Sequence, residues 1–283
     1  MSVSKVLPAV LYHYTTQPGL LGILASDALW ATKIHYLNDS AEYRLAFKIA
    51  NDFLKRLLND ERDSKKRTKI ETLLKNLVAI TQINVCVCSF STNRDLLSQW
   101  RAYAQGVAGY SIGFHTSELQ KQCDKQGFFL APCIYDLSTH HEFIEQLVST
   151  SLEQDFNTVD TEAHPTKPNT LVVRSTGGNF ATEFMQLASV LKGDAFHEEC
   201  EWRLVSSRGI SAEKMSFRPG QSMLTPYVHF NLGDMKDTYL QSVTVGPTVH
   251  NWLAEESTRN LLAHWNTAQN VHVCSSTATY RTW

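Results

Sequence analysis

HEECEWRLVSS, residues 197–207, decides how the chain is read. As a β-strand its side chains alternate between two faces. Glu199, Glu201, Arg203 and Val205 then share one side, and Cys200, Trp202 and Leu204 share the other. The apolar side needs a core, so the stretch belongs to a packed sheet. The charged side has two readings. It is a solvent-facing surface, where cross-strand Glu–Arg pairs are worth about 0.2–1 kcal/mol each, or it is the wall of a site. In the second case Trp202 and Leu204 anchor the strand and hold its carboxylates in the fixed positions that catalysis requires.

Working outward, the neighbouring segments supply the rest of a mixed fold. ATEFMQLASVLKG (181–193) has helical spacing and ends in Lys-Gly, a common helix stop. VLYHYTT (10–16) reads as a strand, QPGLLGILAS as the helix after it, and LWATKIHYL (29–37) as another strand. Two amphipathic helices follow. One carries Leu45, Ile49, Phe53 and Leu57 on one face; the other, about 68–82, carries Ile70, Leu73, Leu74, Leu77 and Val78. Together they predict a helical hairpin inserted over about 41–82, with the basic run RDSKKRTK (62–69) as its solvated connection.

INVCVCSFS (83–91) is nearly all apolar and predicts a strand buried on both faces. DLLSQWRAYA reads as a short helix, GYSIGFH and FFLAPCIYD as strands, and the polar, breaker-rich stretch of about 150–178 as a long loop or insertion. SVTVGP, TVHNWLAEESTRNLLAHW and NVHVCSS close the chain as strand, helix and strand. Without internal repeats, this pattern predicts one α+β domain spanning 1–283.

Composition narrows the function classes. The 283 residues are 43% hydrophobic and 19% charged, with a formal net charge of -2. That is an ordinary globular balance with no bulk attraction for nucleic acid or anionic membrane. The opening MSVSKVLPAVLY lacks a signal-peptide core, and no run of about 18 apolar residues occurs. A soluble cytoplasmic protein without membrane contact is expected. The six cysteines form no C-x-x-C pair, which predicts reduced, mostly buried thiols.

Several motifs bear on chemistry. GYSIG around Ser111 has the letters of a nucleophile elbow. That elbow needs a helix directly after the serine, and here the strand continues, which argues against a serine hydrolase. Neighbouring His140 and His141 diverge, and neither H-E-x-x-H nor a Cys/His cluster occurs, so no metal site is expected. Ser89 and Ser91 share a strand face with Val85 and Val87, at a strand end of the kind where ligands bind. His13 lies mid-strand beside Leu11 and Thr15, as a core histidine or a ligand contact.

LYHYTT, LND at 37–39, SFS followed by W-x-x-YA at 100–104, GYSIGF, AFHEECEWRL, VTVGP and the closing S-x-x-x-YR, taken in that order, resemble a bacterial family, domain of unknown function 2971. A second resemblance rests on His13, on S-x-S at Ser89 and Ser91, and on E-x-E at Glu199 and Glu201. It is similar to the mono-ADP-ribosyltransferase fold, in which split, small antiparallel sheets with helices packed around them grip NAD. By that likeness His13 holds the adenosine ribose or a phosphate, Ser89 braces the catalytic glutamate, Ser91 belongs with it to the NAD-binding residues, and Tyr103 stacks on nicotinamide. Glu201 accepts from the nicotinamide-ribose 2′-hydroxyl and Glu199 orients an acceptor. Arg203 belongs to the same site, as a contact to NAD or as a structural partner that neutralises Glu201. A fixed carboxylate beside an oxocarbenium-like sugar is favoured as charge develops.

The resemblance therefore implies an NAD-consuming transferase of the bacterial toxin or phage-defence kind. Its acceptor would be protein or nucleic acid, and an immunity or antitoxin protein a possible partner. The alternative is a non-catalytic nucleotide- or protein-binding module on the same fold. It expects Glu199, Glu201 and Arg203 to close on one another in salt bridges, with no cleft beside Ser89.

Overall fold

The structure is a computed structural model that describes the chain apart from residues 1, 4–5, 38–39, 105–108, 154–170, 173–179, 221, 234–238, 266–270 and 279–283. The first half runs β1 (Ser2–Val3), β2 (Val10–Thr15), α1 (Gln17–Ser26), β3 (Ala28–Lys33), α2 (Ser40–Asp60), α3 (Ser64–Ile80), β4 (Cys86–Ser91), α4 (Leu97–Tyr103), β5 (Tyr110–His115) and α5 (Thr116–Gln126). The second runs β6 (Phe128–Pro132), α6 (Leu137–Glu153), β7 (Leu171–Val172), α7 (Phe180–Ala188), β8 (Glu201–Ser206), β9 (Ser216–Pro219), β10 (Leu224–Asn231), β11 (Leu240–Val245), then Asn251–His264 as α8 and β12 (His272–Ser275).

The mixed α and β character follows the sequence pattern, and local chemistry explains several boundaries. Thr16 caps α1 by accepting from the Gly19 amide, and Asp63 caps α3 by accepting from the amides of Lys65 and Lys66. The basic run is thus mostly the first turns of α3 rather than a connecting loop. The helix expected over 181–193 stops at Ala188. Beyond it Leu191 bridges Ile134 in parallel, with Ile134 N–H on Val190 O at 2.8 Å and Lys192 N–H on Ile134 O at 2.9 Å. A pairing partner outside the segment overrides its helical spacing. Most of the loop expected at 150–178 lies outside the described residues, as do Asn38, Asp39, Tyr280 and Arg281.

Instead of two small sheets, ten strands form one sheet in the order β12-β11-β5-β2-β4-β3-β10-β9, with β8 joined to β4 and β6 to β8. All its pairings are antiparallel except β11 with β12. The fork lies at β4. One edge pairs with β8 from Val87 to Ser91. The other edge is shared: Cys86 and Val87 pair with Lys33 and Thr32 of β3, whereas Ser91 pairs with Tyr12 of β2. Along that edge β2 and β3 therefore diverge past residues 88–90.

Apolar clusters cover both faces. Leu11, Cys88, Phe90, Trp202 and Leu204 pack with Leu20 and Leu24 of α1, Leu119 of α5 and Leu262 of α8. Val85, Val87, Ala131 and Val205 pack with α2, α3, α6 and α7 through residues such as Leu54, Leu73, Leu147 and Phe184. Each such fully buried side chain contributes about 1.5–3 kcal/mol. The alternation foreseen for β8 holds from Glu201 onward. Glu199 is off the strand, ending a 3-10 turn over Asp194–Glu199, and Cys200 links the two in the left-handed region at φ 44°.

Candidate functional site

Neither face of β8 meets solvent. Glu201, Arg203 and Lys192 are 4%, 2% and 4% exposed, so the charged side of the opening stretch is buried against helices. Glu201 Oε1 accepts from Arg203 Nε at 2.8 Å, and Oε2 accepts from Lys192 Nζ at 2.5 Å and Arg203 Nη2 at 3.2 Å. Lys192 also donates to Glu199 at 2.5 Å and lies 5.0 Å from the Phe196 ring centre. Arg203 Nη1 donates to Ser189 O at 2.9 Å, and the Glu201 amide donates to the Tyr135 hydroxyl at 2.7 Å.

Burial alone would raise the Glu201 carboxyl; the charges of Arg203 and Lys192 outweigh it and hold the group at about 2. Burial likewise favours the neutral amine at Lys192, and the Glu201 charge and the Glu199 hydrogen bond reverse this, raising its value. Glu201 is thus ionised with both oxygens occupied. Breaking such a buried pair by removing one member costs about 3–5 kcal/mol. Ser91 works beside it: its hydroxyl donates to Glu199 O at 2.7 Å and accepts from the Asn93 amide at 3.0 Å. That ties the end of β4 to the turn before β8.

The fork itself opens into a cleft of about 1240 Å³, roomy for a nucleotide by the usual 300–1,000 Å³ of ligand pockets. His13, Ser89 and Tyr103 line it, together with Trp30, Lys33 and Arg218, and among the described residues no Asp or Glu does. Ser89 and Cys88 both contribute, so the cleft draws on both faces of the sheet.

His13 Nδ1 donates to the Ser89 carbonyl at 2.9 Å and lies 3.7 Å from Cys88 Sγ. A carbonyl only accepts, so this bond fixes the tautomer and leaves Nε2 as an acceptor. Burial lowers the His13 pKa, the Ser89 bond opposes it, and the Arg218 charge lowers it further. Burial pushes the Cys88 thiol up to about 12, which makes it a poor nucleophile. Because the N–H and C=O of one residue leave an antiparallel strand on the same edge, the Ser89 amide also faces the gap that β2 and β3 leave.

Tyr14 braces one wall. Its hydroxyl donates to Asn93 O and accepts from the Leu96 amide, both at 2.9 Å, and its ring meets Trp100 edge-on at 4.7 Å. This fixes the turn into α4, which brings Gln99 and Tyr103 to the cleft. On the opposite wall Arg218 of β9 donates through Nη2 to Thr32 Oγ1 at 3.0 Å. Its guanidinium lies 5.4 Å from the Trp30 ring centre and 5.8 Å from that of Tyr227. Burial lowers the Arg218 pKa, and no carboxylate partner lies beside it among the described residues.

The residues singled out by sequence therefore divide. His13, Ser89 and Tyr103 meet at the cleft, while Glu199, Glu201, Arg203 and Ser91 form the adjoining buried network. Arg218 and Trp30 carry no motif. The signal that could have found them is the strand-like run TPYVHFN (225–231) after the Pro-Gly pair at 219–220, which makes SFRP a hairpin partner with Arg218 on the Thr225 face.

Among the described residues no group of three or more His, Cys, Asp or Glu could hold a metal ion, and no helix is long and apolar enough to cross a membrane. None of the six cysteines forms a disulfide, and Cys86, Cys88, Cys123 and Cys133 are buried. No curated protein and no solved structure matches the chain. Residues 99–204 match a family described as protein of unknown function (DUF2971), a span that holds Lys192, Glu199, Glu201 and Arg203 but not His13, Ser89 or Arg218. Over those residues, and in the motifs of its sequence, the chain is similar to the DUF2971 family.

Proposed function

We propose that the chain binds a nucleotide-like ligand in the cleft between β2 and β3, and that Glu201 serves the fold rather than turnover. The observation that carries this reading is the cleft lining: cations and aromatic rings, with no carboxylate among the described residues. Phosphate favours arginine and lysine, and bases favour ring faces. An oxocarbenium-forming reaction needs a carboxylate beside the sugar, and Glu201 is instead held by Lys192 and Arg203.

A specific observation supports the ADP-ribosyltransferase reading as the second. Ser91 pairs directly with Glu201 across β4 and β8, and the sheet forks beside them, as a fold that grips NAD between diverging strands requires. Catalysis on that reading demands that Glu201 leave both of its cations.

Titration of the full chain with NAD and ADP, alongside proton NMR of nicotinamide release by wild type and Glu201→Gln, separates the two. Binding without release supports the binding reading. Release that disappears in a Glu201→Gln variant still folded by circular dichroism overturns it in favour of the transferase. Absence of binding by either nucleotide removes both.

A further inference from the structure

We infer that Arg218 is the anion-recognition residue of the cleft, selecting ligands that carry a phosphate or pyrophosphate over their unphosphorylated counterparts. This rests on the nucleotide-binding reading of the same cleft and assigns its selectivity to one side chain.

The environment of Arg218 is unusual for a partly buried cation. Such groups are normally paired with a carboxylate, because taking an unpaired charge out of water is costly. Among the described residues Arg218 has one hydrogen-bond partner, the neutral Thr32, and lies over two rings, Trp30 and Tyr227. Thr32 takes one of five N–H donors. The guanidinium carbon lies over two rings whose centres are 4.5 Å apart, and such cation–π contacts use none of its N–H donors.

Position adds a second argument. Arg218 lies on β9, the outermost strand beyond β10 and β3, yet its charge lowers the pKa of His13 on the far side of the fork. It therefore acts on the space between the two walls. Lys33 lines the same cleft as a point charge, whereas arginine offers the bidentate fork that matches phosphate oxygens. The two rings beside Arg218 form a fixed seat, so little side-chain freedom remains to be lost when an anion binds.

Isothermal titration of the full chain at low salt with inorganic pyrophosphate, adenosine and ADP tests the assignment in wild type, Arg218→Gln and Arg218→Lys. Expected are ADP binding weakened at least tenfold in Arg218→Gln, adenosine binding unchanged, and partial recovery in Arg218→Lys. Retained adenosine binding also shows that Arg218→Gln is folded. If Arg218→Gln binds ADP as wild type does, the assignment fails while the nucleotide reading stands. If pyrophosphate binds through Arg218 and adenosine adds nothing to it, the assignment stands and the nucleotide reading fails. No binding of any probe to wild type overturns both.

Discussion

Glu201 shows how far a single letter can mislead. E-x-E spacing placed Glu199 and Glu201 on one strand face, but Cys200 takes a left-handed turn at φ 44° and sends Glu199 round to Lys192 instead. A left-handed non-glycine residue leaves little trace in sequence, and the lysine that joins the two glutamates lies seven residues before the first of them. Arg203 was legible as a partner for Glu201 because β8 keeps both on one face. Two predictions follow from these residues. The Glu201 carboxyl sits at about 2, below its ordinary 4.5, so its contribution is complete above about pH 4.5 and is lost as pH falls toward 2. Chemical denaturation across that window should show stability falling steeply in wild type and much less so in Glu201→Gln, which starts lower by about 3–5 kcal/mol; equal slopes would contradict the network. At Cys200, replacement by Gly should raise the melting temperature slightly, since the left-handed conformation costs a side-chain-bearing residue about 1–2 kcal/mol that glycine avoids in part.

At the scale of elements, the strands and helices with strong periodicity were readable and those shaped by distant partners were not. The apolar run of β4 and the amphipathic faces of α2 and α3 declare themselves, because burial against a core imposes period 2 or 3.6. The end of α7 does not, since Leu191 leaves the helical pattern to bridge Ile134, far away in sequence. The sheet's tight packing gives a further prediction at β5. A Cβ on Gly113 would lie 2.5 Å from Ser242 Oγ, 3.0 Å from Tyr12 Cε1 and 3.2 Å from Val10 Cγ1. Gly113→Ala should therefore cost about 1–3 kcal/mol through overpacking, measured by denaturant titration. Ser242→Ala in the same background should recover part of the loss, as it removes the nearest atom.

Over the whole molecule, charge and topology act in different places. The net charge of -2 gives no general pull on anions, yet the cleft gathers cations without carboxylates among its described lining. ADP affinity should therefore drop several-fold as ionic strength rises from about 0.01 M to about 0.15 M, where the screening length shrinks from about 30 Å to about 8 Å; a flat profile would point to ring contacts alone. The fork has one more consequence. Interior strands ordinarily protect every amide, since both edges are laddered. In β4, Ser89 faces the gap between β2 and β3, its carbonyl taken by the His13 side chain. Deuterium should thus enter at the Ser89 amide well before it reaches Cys88 or Phe90, whose amides point to β8, making a position near the middle of the sheet label like a loop until a ligand fills the cleft.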